Sequence, residues 1–202
     1  VMRDARLDCR EYRVLLAERR RYLVDAAAAS GPPAALASWS LAVDRASQTP
    51  VGSIAWPLLA LAAHLDPGGI PASVLTSQAA CGYLIGQPDT VPAPGEVPVG
   101  EVVRILTRLG LLALEPTSSA RTVRMHSFMQ HAVCGFLSPE QRDQAALAAA
   151  SALLQSWPRG PVPPLLDQAL RDGTARVRAT AGKLLWNGGC HPLLLRAGES
   201  LD

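Results

Sequence analysis

Apolar residues recur at helical spacing through most of the chain. Leu36, Trp39 and Val43 stand at i, i+3 and i+7, behind a Pro32-Pro33 pair that can open the helix. A second stripe, Leu58, Leu61, Ala62 and Leu65, predicts a helix over 54–65, with Pro57 in its first turn, where no amide donor is lost. Asp66-Pro67-Gly68-Gly69 ends it. Pro71 opens a third helix through Val74 and Leu75 toward Tyr83 and Leu84. Residues 86–98 are rich in proline and glycine and predict the most mobile loop of this part. Val102, Ile105, Leu106 and Leu109 then give a fourth helix, stopped by Gly110.

The period next changes from helical to two. Residues 111–115 and 122–126 read as the strands of a hairpin, with Val123 and Met125 on one face and Thr122, Arg124 and His126 on the other. Helical spacing returns at once with Met129, Val133 and Phe136, and Ser127 is the expected N-cap. Ser138-Pro139-Glu140-Gln141 predicts a capped helix start, running through Leu147, Leu153 and Leu154 to Trp157. Residues 158–164 are a break. Helical stretches are predicted over 165–172 and 174–186, stopped at 187–189, and over 192–201. Near the start, Asp8 to Glu11 resembles a capping box, and Arg19, Arg20 and Arg21 suit the C-terminal end of the helix it opens. The predicted fold class is mainly α: a winged-helix domain over 31–137 with a short β-hairpin, followed by an α-helical, repeat-like region over 138–202. No repeat of fixed period is present in that region.

Composition sharpens this picture. Hydrophobic residues make up 49% of the 202 and aromatics 4%, so the helices are expected to pack through alanine and leucine. The net charge of +2 gives no strong pull toward nucleic acid or a membrane. No apolar run is long enough to span a bilayer and no signal peptide is visible. Cys9, Cys81, Cys134 and Cys190 form no CxxC pair and read as reduced thiols of a cytoplasmic protein.

Several chemistries lack their residues. Phosphate cradling by GxxxxGK(S/T) needs a lysine, and the only one, Lys183, has Val177 where the first glycine belongs and Leu184 where the hydroxyl belongs. The chain alone is therefore not expected to be an enzyme. His126 and His131 would lie roughly 140° apart on a helix, and Cys190-His191 is an isolated pair, so no metal site is expected. No glycine-flanked serine elbow marks a nucleophile, and Cys134 reads as a core thiol. His64, near a helix C-terminus, reads as structural or solvent-facing.

Arg124-Met125-His126-Ser127 with Gln130-His131 resembles the Met-His-Asp motif of NB-ARC (STAND-class) signalling ATPases. Ser38-Trp39-Ser40-Leu41 and the Leu65–Pro71 run are similar to further segments of bacterial members with tetratricopeptide-repeat tails. The resemblance implies that residues 1–30 end the helical subdomain preceding the winged helix. It also implies that His126, supported by Met125 and Ser127, contacts the β-phosphate of bound ADP. ADP or ATP with Mg would belong to the parent protein, and none to this chain alone. The implied partners are a nucleotide-binding domain upstream and a repeat array downstream in the same polypeptide, with self-assembly on activation and no membrane. Ser127 stands where the motif has aspartate, so a Ser127→Asp variant is expected to strengthen ADP retention. The residues also admit a second reading, a winged-helix DNA-binding regulator contacting DNA through Arg104, Arg108, Arg121 and Arg124.

Overall fold

A computed structural model describes residues 10–11, 13–15, 33–86, 95–115, 120–187 and 189–200. The Asp8 capping box, the Arg19–Arg21 cluster, the linker before Pro33 and most of the loop within 86–98 lie outside the described residues.

The chain is mainly helical. Helix α1 spans Pro33–Ser47, α2 Gly52–Ala63, α3 Ala72–Leu75, α4 Gln78–Leu84 and α5 Val99–Arg108. Strands β1, Ala113–Leu114, and β2, Val123–Arg124, follow, and then α6, Ser127–Phe136, α7, Pro139–Ser156, and α8, Pro164–Ala181. A 3-10 turn at Leu184–Trp186 leads to α9, Pro192–Glu199.

Helix α2 is the centre of the molecule. Leu58, Leu59 and Leu61 are fully buried, and so are the alanines at 60, 62 and 63. A helix apolar on nearly every side must be surrounded. It is packed by α1, α4, α5, α6 and α7. Trp39 of α1 stacks on Phe136 of α6 with ring centroids 5.3 Å apart and tilts against Trp56 of α2 at 6.2 Å. The helix begins two residues before the predicted start, because the chain turns into it at Val51, whose carbonyl accepts from the Ile54 amide. Pro57 therefore lies inside α2, beyond the first turn. Its ring denies the Ser53 carbonyl an i+4 donor, but Ser53 is exposed and water can serve it.

The predicted third helix is two. Ser77 adopts an extended conformation, donates to the Val74 carbonyl at the end of α3 and accepts from the Ala80 amide at the start of α4. One serine hydroxyl thus ends one helix and caps the next. The reverse holds at Gly173, where two predicted helices are one. Gly173 is buried inside α8, and a Cβ there would stand 2.9 Å from the Leu153 side chain of α7. The glycine serves close helix approach rather than a break.

The strands are shorter than predicted, with Ala113 opposite Arg124 and Leu114 opposite Val123. Ile70 forms an isolated antiparallel bridge to Val123, through N–O distances of 2.7 and 3.1 Å. β2 is thus flanked by β1 on one side and Ile70 on the other. Gly69, at φ +142°, lets the chain reach this bridge, and a Cβ there would stand 2.5 Å from the Arg121 Cβ.

Helix α7 starts as predicted. Ser138 accepts from the Gln141 amide at 3.2 Å, and the Gln141 side chain accepts from the Ser138 amide at 2.9 Å. It packs on α2, α3, α4, α8 and α9. One apolar core runs from Leu58 and Met125 through Leu153 to Leu170 and Leu193, so the core continues across the predicted division at 137/138. No helix among the described residues is long and apolar enough to cross a membrane.

Candidate functional site

The alternation read from 122–126 holds. Met125 is fully buried and Val123 nearly so, whereas Arg124 and His126 are exposed. Met125 anchors the strand end in the core, and that anchor fixes where His126 emerges.

The helix cap differs from expectation. His126, not Ser127, is the N-cap of α6: its backbone is extended and its Nδ1 accepts from the Phe128 amide at 3.1 Å. Ser127 already has helical geometry and is the first residue of α6. The N-cap must leave the helical region of backbone space, and the strand end places His126 there. With Nδ1 occupied as an acceptor, the neutral ring carries its proton on Nε2, which is a donor. His191 caps α9 in the same way, accepting from the Leu193 amide at 3.2 Å. The cap alone is therefore a structural device.

His126 differs from His191 in its surroundings. It is exposed on a groove of about 530 Å³, shared with Arg124, Glu115, Gly68, Gly110 and Met129. Ser127 lies on the same groove. Arg124 stands 3.7 Å from the Glu115 carboxylate, with both side chains about half exposed. The groove thus combines a fixed imidazole donor, a guanidinium with a distant counter-charge and backbone from two glycines.

The four arginines of the DNA reading do not share one environment. Arg104 and Arg108 are exposed on α5, and Arg104 Nε donates to the Gly100 carbonyl at 3.3 Å. Arg121 is bound between two carboxylates: Asp66, at 2.5 Å, in the turn after α2, and Asp172 of α8. These pairs tie the base of the hairpin to α8, and they hold the Arg121 guanidinium away from the role of phosphate ligand.

A polar cluster inside the protein escaped the sequence. Gln130 is fully buried on α6; its Nε2 donates to the Leu65 carbonyl at 2.8 Å and the Ala62 carbonyl at 3.2 Å. Those carbonyls belong to the C-terminal end of α2, where intrahelical donors run out. Arg176 of α8 donates to Gln130 Oε1 at 3.4 Å. His64 is buried, not solvent-facing, and neither ring nitrogen has a hydrogen-bond partner. Burial, followed by the Arg176 and Arg142 charges and opposed by Asp143, pushes its pKa from 6.5 down to about 4. A helical stripe cannot reveal this cluster, because its members lie on four helices or their ends.

Cys81, Cys134 and Cys190 are free, half-buried thiols. Burial raises the pKa of Cys81 and Cys134, which keeps both protonated and poorly nucleophilic. His131 is exposed on α6. Among the described residues no three His, Cys, Asp or Glu side chains gather as a metal-ligand set.

Comparisons with protein-family models, curated proteins and solved structures found no match to this chain.

Proposed function

We propose that this chain is the winged-helix part, with the start of the following helical region, of a nucleotide-switched signalling ATPase of the NB-ARC type. His126 is its sensor of bound ADP. The observation that carries the reading is the His126 ring, anchored through Nδ1 and exposing Nε2–H on a groove with Arg124. A fixed N–H donor beside a guanidinium is suited to a phosphate oxygen.

The order of elements supports the winged-helix reading. Helix α2, the Ile70 bridge, helices α3 to α5 and then the hairpin follow the helix, short strand, helices and wing of that architecture, with β2 in the middle. In this account an upstream domain holds ADP or ATP with Mg, and the contact to His126 exists in the ADP state alone. The ligand then shifts the population between two arrangements, one of which exposes a surface for self-assembly in the cytoplasm. The first test is the reading frame upstream of Val1, which should encode a strand, a GxxxxGK(S/T) loop and a helix. The protein from that complete frame should copurify with ADP. Nucleotide-free protein carrying an unrelated upstream domain would refute the reading.

The exposure of Arg104 and Arg108 on α5, directly before the hairpin, favours DNA binding as the second reading. It requires salt-sensitive duplex binding lost on joint Arg104→Ala and Arg108→Ala substitution. Absence of binding at low salt removes it.

A further inference from the structure

A second cleft, of about 810 Å³, lies where α3, α4, the end of α7 and α9 meet. It shares no lining residue with the His126 groove. Its walls follow from the chain path. Helix α7 stops at Ser156, Trp157 turns inward and is buried, and the next residues run outward to an exposed Arg159. Helix α9 packs back on α7 and brings Arg196 to the same place.

The Thr76, Ser77 and Ser156 hydroxyls donate to carbonyls of their own turns, so the donors offered to the cleft are Arg159, Arg196, Gln155 and Gln78. Arg196 Nη2 donates to the Pro158 carbonyl at 3.0 Å, and its guanidinium lies 5.6 Å over the Trp157 ring. It pairs with Glu199 at 3.5 Å, on a largely exposed side chain. Gln155 accepts the Ala79 amide on Oε1 at 2.8 Å, which turns its Nε2 donors away from that bond. Ser73 and Gln78 are exposed on the opposite wall. Arg159 has no partner among the described residues. Among the described residues no carboxylate lines the cleft, whereas two guanidiniums do.

We propose that this cleft binds an organic phosphate monoester, with the phosphate taken by Arg159, Arg196 and the Gln155 amide and the organic part facing the wall of Ser73 and Gln78. The three terminal oxygens of a phosphate accept hydrogen bonds from several directions, whereas the two of a carboxylate lie in one plane. The donors come from three separate elements, which suits the former. The volume is that of a small-molecule site.

The test is a titration of the full 202-residue chain, labelled with ¹⁵N, with phenyl phosphate, followed by amide and arginine side-chain shifts. Saturable shifts are expected at Ser73, Gln78, Gln155, Arg159 and Arg196. Arg159→Ala is expected to weaken binding by about tenfold or more, the loss of one charge-assisted contact, with the rest of the spectrum unchanged because Arg159 is exposed and unpaired. Benzoate is expected to bind at least about tenfold more weakly than phenyl phosphate. Shifts centred on Arg124 and His126, an unchanged affinity in Arg159→Ala, or equal binding of benzoate would each overturn the assignment. The shift map keeps this outcome separate from the fate of the His126 reading.

Discussion

Replacing Gln130 by leucine tests whether the buried polar cluster holds α2, α6 and α8 together. Leucine is close to glutamine in size, so the change removes hydrogen bonds without opening a large cavity. The Leu65 carbonyl loses its donor at 2.8 Å, and Arg176 loses its acceptor at 3.4 Å. The Ala62 carbonyl keeps the Leu65 amide at 3.2 Å and is the least affected. A buried acceptor left unsatisfied costs roughly 1–3 kcal/mol, and the long contact to Arg176 adds about 0.5–1 kcal/mol. The expected loss is therefore about 1.5–4 kcal/mol, read as a lower urea midpoint with an unchanged slope by circular dichroism. A double-mutant cycle with Arg176→Leu should show that the two losses are not additive. A loss below about 0.5 kcal/mol in Gln130→Leu would refute the reasoning, because it would mean that water or a shifted backbone serves those groups equally well.

The depressed pKa of His64 predicts a pH effect of definite sign. The folded state holds it neutral down to about pH 4, while the unfolded chain takes up the proton near 6.5. Its contribution is fully present above about pH 6.5 and declines as pH falls toward 4, by about 3 kcal/mol in all. His64→Leu should flatten that part of the stability–pH curve; an unaltered slope would contradict the burial argument. Gly69→Ala should destabilise by about 1–3 kcal/mol in thermal melts, since it places a Cβ at positive φ against Arg121. His126→Ala should cost about 1 kcal/mol through the lost α6 cap, whereas His126→Asn, which can cap, should cost nearly nothing. Equal stability losses in the two variants would remove the capping role.

The parts of the fold that were legible are those governed by local rules. The Ser138 capping box, the stripe of α5 ended by Gly110 at positive φ, and the alternation that buries Met125 and exposes His126 are all short-range patterns. The errors arose at element ends and where distant residues decide. Gly173 reads as a breaker until Leu153 is seen against it, and Pro57 reads as first-turn until Val51 turns the chain earlier. Ser127 is the favoured cap by type, yet the strand end hands that position to His126. Gln130 lay beside the motif in sequence, but its burial depends on carbonyls 65 and 68 positions away. Arg121 reads as a DNA contact until its carboxylate partners, 55 and 51 residues distant, are seen against it.

In the proposed function the outward Nε2–H of His126 holds ADP, apart from the role of Nδ1 in capping. The most direct measurement is the dissociation rate of ADP from the complete protein, compared between wild type and His126→Asn. Asparagine retains the cap and removes the imidazole donor, so folding stability should stay within about 0.5 kcal/mol. ADP release is expected to be at least about tenfold faster in the variant, the loss of one charge-assisted hydrogen bond. An unchanged rate in a variant of unchanged stability would contradict it and leave His126 as a helix cap.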